Sequence, residues 1–98
     1  MIIEQLTFRV PASLRPRFLD LDAQIWTAAL AQCPGYLGKE VWLEAEGSDA
    51  LHLVIRWTTR DAWKAVPAAL LAETDRRFAA ALGQSVPVLR CLEHEVVG

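Results

Sequence analysis

Cysteine is scarce in this 98-residue chain, which contains only Cys33 and Cys91. The two positions have no metal-like spacing, and two cysteines are too few for the disulfide framework of a small secreted domain. The sequence therefore predicts two free thiols, buried or half-buried, and no metal site. A redox role or a bond between subunits is the alternative interpretation of these cysteines.

The chain also lacks a run of basic residues and a long apolar run. Ten Lys and Arg against twelve Asp and Glu give a net charge of −2, so nucleic acid is not predicted as a partner. No apolar stretch approaches the roughly 20 residues of a membrane span. The first ten residues, MIIEQLTFRV, contain no basic region followed by a long apolar one. We therefore predict a cytoplasmic protein with no membrane partner.

Apolar residues, by contrast, are abundant. They make up 53% of the chain and include four Trp, each of which can bury on the order of 200 Å². Such a composition is typical of a folded protein with a core rather than of a disordered one. We expect a single domain over residues 1–98, because one core is typically built from about 100 to 150 residues.

The spacing of apolar residues predicts an alternation of strands and helices. Strands are predicted over residues 2–10, 38–45, 50–58 and 86–97, and helices over 12–32, 60–66 and 67–82. Ser13 and either Thr58 or Thr59 are candidate N-caps, and Gly83 is a candidate residue for a helix C-terminus. The order βαββαβ predicts a ferredoxin-like α+β sandwich, with a four-stranded antiparallel sheet and two helices on one face.

The second and third strands form a predicted hairpin with a three-residue loop, Gly47 to Asp49. This loop sets three cross-strand pairs, namely Glu40 with Arg56, Trp42 with Val54 and Glu44 with His52. An apolar face is predicted to lie under the helices and consists of Val41, Leu43, Leu51, Leu53, Ile55 and Trp57. Trp42 lies on the opposite face with Val54 and Ile3, where the chain has no helix left to cover it. We therefore expect something outside the chain to cover that face.

Two stretches resemble a known family. PGYLGKEVW at 34–42, followed by VIRWTTRDAW at 54–63, resembles the paired signature of antibiotic biosynthesis monooxygenase-type domains, the dimeric α/β-barrel group. The segments IIEQLTFRVP, IWTAALAQCPGYLGKEVW and VIRWTTRDAWKAVP are similar to a subgroup of short proteins common in cyanobacteria. Family members pair two sheets face to face across a twofold axis. The resemblance implies a homodimer whose interface contains Ile3, Glu40, Trp42, Val54 and Arg56.

The resemblance also implies a ligand pocket between the sheet and the helices. Aromatic side chains with a few polar groups are typical of such pockets, and the predicted lining consists of Phe8, Trp26, Tyr36, Trp57 and Trp63. Core packing is the alternative interpretation of these five residues.

Glu4 and Asp22 are the candidate catalytic residues. Alternation directs Glu4 toward the helices, where a carboxylate must be paired, hydrated or shifted in pKa. Asp22 precedes Trp26 by four residues, so the two share a helix face. Either carboxylate is a candidate general base. The alternatives are a hydrated Glu4 at the sheet rim, and an Asp22 that is exposed or accepts a hydrogen bond from the Trp26 indole.

Histidine occurs only at His52 and His94. Each is predicted to be solvated or hydrogen-bonded on a strand, with a metal or heme ligand as the alternative, and the pattern does not fix the face of His94. Heme-degrading members of the resembled fold carry an Asn on the first strand and a His on the second helix. This chain has no Asn and no His between residues 53 and 93, which disfavours heme degradation by that mechanism.

The resemblance implies a cofactor-independent monooxygenase, or a binder of a small aromatic or apolar molecule in the sheet–helix cleft, and no cofactor is predicted. Quinone-forming members use an Asn, a Trp, a Tyr and an Arg around a phenolic substrate. Trp57 is the only match that can be placed here, with Arg56 and Tyr36 as loose candidates. The alternative is a non-catalytic accessory or ligand-sensing dimer, and heme binding without degradation is a third interpretation.

Overall fold

The computed structural model describes residues 1–98 and contains a four-stranded antiparallel sheet. Its strands are β1 (Ile2–Arg9), β2 (Tyr36–Leu43), β3 (Ala50–Trp57) and β4 (Arg90–Glu95). They lie in the order β2-β3-β1-β4, so β1 and β3 are the central strands and β2 and β4 the edges. The predicted ferredoxin-like α+β fold is confirmed.

The helices lie on one face of this sheet. The first helical run consists of α1 (Arg15–Leu21), a π-helical segment (Asp22–Thr27) and α2 (Ala28–Leu30), and the second consists of α3 (Arg60–Lys64) and α4 (Ala68–Leu82). None of these helices combines the length and the apolar composition that a transmembrane span needs.

Helix termini follow the capping predictions in two of three cases. Thr59 caps α3, because its hydroxyl oxygen accepts a hydrogen bond from the Ala62 N–H at 3.1 Å. Gly83 ends α4 with φ +83°, a conformation that glycine adopts without steric cost. The predicted cap at Ser13 is wrong, since Leu14 occupies the N-cap position without a side-chain hydrogen bond. The Pro11 carbonyl already accepts the N–H groups of Leu14 and Arg15 at 2.9 and 3.1 Å.

The core lies between the sheet and the helices. Three phenylalanine rings from different elements meet there: Phe18 packs 5.6 Å from Phe8 and 5.2 Å from Phe78, between ring centroids. Leu51 and Leu53 of β3 join this cluster. A second cluster contains Leu30, Ile55 and Trp57. The helix-facing residues of β3 are therefore buried, as the alternation predicts.

The predicted register of the β2–β3 hairpin is wrong by two residues. Glu40 pairs with Val54 and Trp42 with His52, because the loop spans residues 44–49 rather than three residues. A turn in this loop is closed by the Gly47 N–H, which donates to the Glu44 carbonyl at 3.2 Å. A shift of two preserves the face of every side chain. Two of the predicted contacts therefore persist diagonally, Glu40 with Arg56 at 3.3 Å and Glu44 with His52 at 3.7 Å.

A bulge near the start of β2 decides which side chains face the helices. Tyr36 pairs with Trp57 and Gly38 with Arg56, so Leu37 is an extra residue in β2. After the bulge, Lys39 points to the helix side with Val41 and Leu43. Val41 and Leu43 are nevertheless 40% and 47% exposed, which corrects the prediction that they lie under helices, because the end of this edge strand extends beyond the helical layer.

The other sheet face carries no helix and is called the open face below; it contains Ile3, Gln5, Thr7, Glu40, Trp42, His52, Val54, Arg56, Leu92 and His94. Ile3 and Val54 are buried in the single chain by their neighbours on this face. Trp42 is 46% exposed, and its indole N–H donates to Glu40 at 3.3 Å. His94 belongs to this face, where its Nε2 lies 3.0 Å from Oε1 of Gln5.

Candidate active site

A cavity of about 650 Å³ lies between the sheet and the helices. This volume is within the range of small-molecule sites. The sheet contributes Glu4, Phe8 and Trp57, the first helical run contributes Asp22 and Trp26, and α3 contributes Trp63. These are six of the seven residues predicted for the pocket and its chemistry. The cavity is therefore mainly apolar, with a few charged groups in its wall.

Tyr36 is the exception, and its placement is corrected. It does not line the cavity; its ring packs edge-on against Trp57, with 5.9 Å between centroids and planes at 81°. Tyr36 begins the edge strand opposite Trp57, so the indole separates it from the cavity. Tyr36 therefore packs against a residue of the cavity wall without lining the cavity itself.

Glu4 is fixed by a hydrogen bond at the centre of the sheet. Its Oε1 accepts the indole N–H of Trp57 at 3.1 Å, and the carboxyl group is half-buried in the cavity wall rather than hydrated at the sheet rim. Burial raises the pKa of Glu4, and the Trp57 N–H and the charge of Lys64 partly oppose this rise. A raised pKa makes the ionised carboxylate a stronger base, which suits it to accept a proton.

Asp22 forms a dry ion pair with Lys39. Nζ of Lys39 donates to Oδ2 of Asp22 at 2.5 Å, and the two side chains are 5% and 4% exposed. The same ammonium donates to Oγ1 of Thr27 at 3.2 Å. The partner of Asp22 is therefore Lys39 and not the Trp26 indole, and Asp22 is not exposed. Its Oδ1 is buried with no hydrogen bond, and burial raises the pKa of Asp22 against the opposing charge of Lys39.

Lys39 is the functional residue that sequence reasoning missed. It lines the cavity, and alternation along the predicted strand 38–45 already places position 39 on the helix side with Val41 and Leu43. Gly38, directly after Leu37, is the available signal for the bulge, because a glycine within a strand often marks one. The segment from Gln84 to Val88 also lines the cavity. The last strand was predicted to begin at residue 86, but β4 begins at Arg90. Leu89 restores the pairing, with its N–H donating to the Thr7 carbonyl at 2.8 Å.

The histidines and cysteines contribute nothing to the cavity. His52 and His94 lie on the open face, where Gln5 contacts both. Both cysteines are free thiols, although Cys91 is exposed rather than buried because it lies on an edge strand. No group of three or more His, Cys, Asp or Glu residues is arranged to hold a metal ion.

Heme does not fit the cavity as an axially ligated group. Heme iron in proteins is held by His, Cys, Met or Tyr. The cavity wall contains none of these four residue types. We derive no chemistry from heme for this chain.

Comparisons with solved structures give full-length matches at low sequence identity. A monooxygenase from the gene ActVA-Orf6 of Streptomyces coelicolor, in complex with nanaomycin D, aligns with a TM-score of 0.74 at 15% identity, over 99% of this chain and 88% of that one. A point mutant of SnoaB, a cofactor-independent oxygenase from Streptomyces nogalater, aligns with a TM-score of 0.70 at 19% identity, over 97% and 91%. The heme degrader MhuD from Mycobacterium tuberculosis aligns with a TM-score of 0.66 at 22% identity, over 99% and 96%. These matches show a shared fold.

The sequence assigns the chain to a family, whereas the structural matches show only its fold. Comparison with curated protein sequences gives no match. The model of the family described as antibiotic biosynthesis monooxygenase, however, matches residues 1–68. This segment is more than half of the chain, and it includes the bulge and both candidate carboxylates. The chain belongs to the antibiotic biosynthesis monooxygenase family.

Proposed function

We propose that the protein binds a small hydroxylated aromatic molecule in the sheet–helix cavity and oxidises it with molecular oxygen, without a cofactor. The cavity of about 650 Å³ is the observation that carries this proposal, because its wall combines three Trp with three carboxyl groups, those of Glu4, Asp22 and Asp75. Indole faces stack on aromatic rings, and a carboxyl group in a mainly apolar wall is suited to accept a phenolic proton. The family assignment and the two monooxygenases of the same fold support this reaction type.

Glu4 and Asp22 are both candidates for the proton acceptor, and the contacts favour Glu4. Asp22 has one oxygen bonded to Lys39 and the other shielded from solvent, so a ligand hydroxyl has no open approach to it. Glu4 is less buried, and its hydrogen-bond donors within the protein are indole N–H groups of the cavity wall rather than a charged partner. We therefore propose Glu4 as the general base, with Trp26, Trp57 and Trp63 holding the ring of the substrate.

The proposed reaction is balanced without an external reductant. Transfer of the phenolic proton to Glu4 leaves an electron-rich phenolate, which supplies the electrons that reduce O₂. One oxygen atom forms a bond to a ring carbon, and the C–H bond at that carbon is lost. The other oxygen atom leaves as water with the two hydrogens of the substrate. A phenol and O₂ thus give a quinone and water, and the role of the protein is to bind, orient and deprotonate the ring.

Oxygen consumption with a panel of dihydroxyaromatics tests this proposal. We expect turnover by the wild-type protein and a loss of at least about 100-fold in kcat/KM for Glu4→Gln, since a positioned general base contributes roughly 10²–10⁴-fold. Glu93→Gln is the matched control, because Glu93 is an exposed carboxylate of β4 paired with Arg60 outside the cavity. Binding without oxygen uptake would refute catalysis and favour the accessory or ligand-sensing function. Equal rates for Glu4→Gln and wild type would refute the role of Glu4.

We propose in addition that two copies of the chain pair through their open faces. The support is the open face itself: Trp42 is 46% exposed beside the Glu40–Arg56 ion pair, on a sheet surface without a helix. Ile3 and Val54 lie in the centre of the same surface. Trp and Arg side chains are enriched among interface residues with large binding energies.

Sedimentation at several concentrations tests this pairing. We expect a dimer at micromolar concentration and an association at least about tenfold weaker for Trp42→Ala. Leu71→Ala is the control, because Leu71 is 39% exposed on α4, on the other side of the sheet. A stable wild-type monomer at micromolar concentration would contradict the proposal. Unchanged association of Trp42→Ala would remove Trp42 from the interface.

A further inference from the structure

Lys39 has an unused donor in the cavity wall. A lysine ammonium group carries three N–H donors. Two of them are used within the protein, by Oδ2 of Asp22 and Oγ1 of Thr27. The side chain is 5% exposed and lines the cavity. The third donor has no acceptor in the protein, although the side chain is almost entirely buried.

The backbone fixes Lys39 in this position. The β2 bulge turns its side chain to the helix side, opposite Ile55. Asp22 and Thr27 are the first and last residues of the π-helical segment, so the turn geometry of that segment sets the spacing of the two acceptors. Single π-helical turns are frequently found at functional sites. A lysine held by a strand bulge and a π-helical turn loses little side-chain entropy when it contacts a ligand.

We infer that Lys39 stabilises negative charge on an oxygen of the bound ligand, so that the cavity selects hydroxyaromatics that bind as phenolate or enolate anions. This inference rests on the proposed function and extends it to a specificity-determining residue. A charge-assisted hydrogen bond in a dry site is about twice as strong as a neutral one, and it favours the ionised form of the ligand.

The charges around the cavity fit this assignment. Besides Lys39, the ionisable groups in the wall are Glu4, Asp22 and Asp75. Asp22 compensates Lys39 directly. A phenol that gives its proton to Glu4 leaves the total charge of the cavity unchanged, because one anion replaces another. Burial raises the pKa of Glu4, and the charge of Lys39 is among those that oppose the rise, so the ammonium and the proposed base act within the same site.

A chromogenic phenol provides the test. 4-Nitrophenol absorbs visible light only as its anion, and 4-nitroanisole has nearly the same shape but no ionisable hydrogen. At a mildly acidic pH, where free nitrophenol is neutral, we expect wild-type protein to bind it with a measurable fraction ionised. Lys39→Met should lower the ratio of ionised to neutral bound probe by at least about tenfold. Lys39→Arg, which keeps the charge, should retain most of the ratio.

Asp22→Asn separates this inference from a purely structural ion pair. It removes the compensating charge and leaves the ammonium in place, so we expect the ratio to rise, whereas Lys39→Met lowers it. If the pair only stabilises the fold, both variants leave the ratio unchanged, and the inference is overturned. If Lys39→Met does not fold, the ratio in Asp22→Asn decides alone: an increase supports the inference and no change or a decrease overturns it.

Nitroanisole distinguishes the two levels of failure. Wild-type protein that binds neither probe contradicts the proposed function, and the inference about Lys39 fails with it. Wild-type protein that binds nitroanisole but keeps bound nitrophenol neutral contradicts only the role of Lys39. A variant that binds nitroanisole as tightly as the wild type retains its cavity. Any change in its ratio of ionised to neutral bound nitrophenol then reports a change in charge rather than unfolding.

Discussion

The hydrogen bond between Trp57 and Glu4 predicts a pH-dependent cost of the substitution Trp57→Phe. The indole nitrogen lies 3.1 Å from Oε1 of Glu4, and Trp57 is 0% exposed. Phe fills much of the volume of Trp but has no N–H donor. The substitution therefore removes one hydrogen bond and leaves a small cavity in the core.

The cost has two parts with different origins. The smaller ring lowers the free energy of unfolding by about 2 kcal/mol, from roughly three missing ring atoms at about 0.8 kcal/mol each. The lost hydrogen bond adds about 1.5–3 kcal/mol while Glu4 is ionised, but only about 0.5–1.5 kcal/mol when the acceptor is neutral. In a Glu4→Gln background the acceptor is a neutral amide oxygen. We therefore expect Trp57→Phe to cost about 1 kcal/mol less there than in the wild type.

The sign of the pH dependence follows from the pKa of Glu4. Burial raises this pKa, and the Trp57 N–H partly opposes the rise, so Trp57→Phe raises the pKa of Glu4 further. A carboxyl group with a raised folded-state pKa contributes stability below its unfolded pKa and loses it as pH rises through the folded pKa. The coupling between Trp57 and Glu4 has the opposite trend, because the indole N–H binds the ionised carboxylate more strongly than the neutral carboxyl group. The difference of about 1 kcal/mol between the two costs of Trp57→Phe should be present at about pH 8 and disappear at about pH 4, where Glu4 is protonated.

Urea unfolding of the four proteins of this double-mutant cycle measures the coupling energy at both pH values. Trp26→Phe serves as the control, because Trp26 lines the same cavity but makes no side-chain hydrogen bond to Glu4. Its cost should be the same in both Glu4 backgrounds. A coupling energy below about 0.3 kcal/mol at about pH 8, or the same coupling at both pH values, would refute the assignment of an ionised, indole-bonded Glu4.

Two further predictions concern the backbone. A Cβ at Gly35, where φ is +88°, would clash with Cβ of Ala62, so Gly35→Ala should lower the free energy of unfolding by more than about 2 kcal/mol. Gly83 has a similar φ of +83° but open space around it, so Gly83→Ala should lower the free energy of unfolding by only about 1 kcal/mol. Urea midpoints in the reverse order would contradict this prediction. Thr59→Ala removes the α3 cap and should cost about 1 kcal/mol, whereas Ser13→Ala should leave stability unchanged. Equal losses in thermal unfolding for these two variants would contradict the cap assignment.

Sequence patterns predicted the fold because the sheet uses simple alternation along its central strands. In β3, buried side chains recur at every second residue on the helix side, and in β1 the apolar residues alternate in the same way, although only Phe8 is fully buried on that side, so each pattern indicates both the strand and its covered face. Even the wrong hairpin register left the faces intact, since it differs from the true one by two residues. The loop from residue 44 to 49 set that register, and its length is not encoded in a periodic pattern.

The chemistry of the cavity was less predictable, because it depends on contacts between residues of different elements. Helical spacing correctly related Asp22 to Trp26, but it says nothing about a partner from a different element. Lys39 shares the helix-side face of Val41 and Leu43, and its contact with Asp22 comes from the first helical run. Tyr36 precedes the bulge and was placed in the pocket by its chemistry alone. Alternation therefore indicates the face of Lys39, but not its partner or its burial.

Residues on the two faces of the sheet share the backbone and the hydrogen bonds of the central strands β1 and β3. Successive residues of one strand point to opposite faces, so Ile3 lies on the open face next to Glu4 in the cavity, and Arg56 lies next to Trp57. Their backbones form one ladder, in which Ile3 pairs with Arg56 and Ile2 with Trp57. A second copy bound to the open face would restrain this ladder, and the Trp57–Glu4 hydrogen bond spans the same two strands. Assembly on one face would therefore restrict the motion of the proposed base on the other, without any contact between the partner and the cavity.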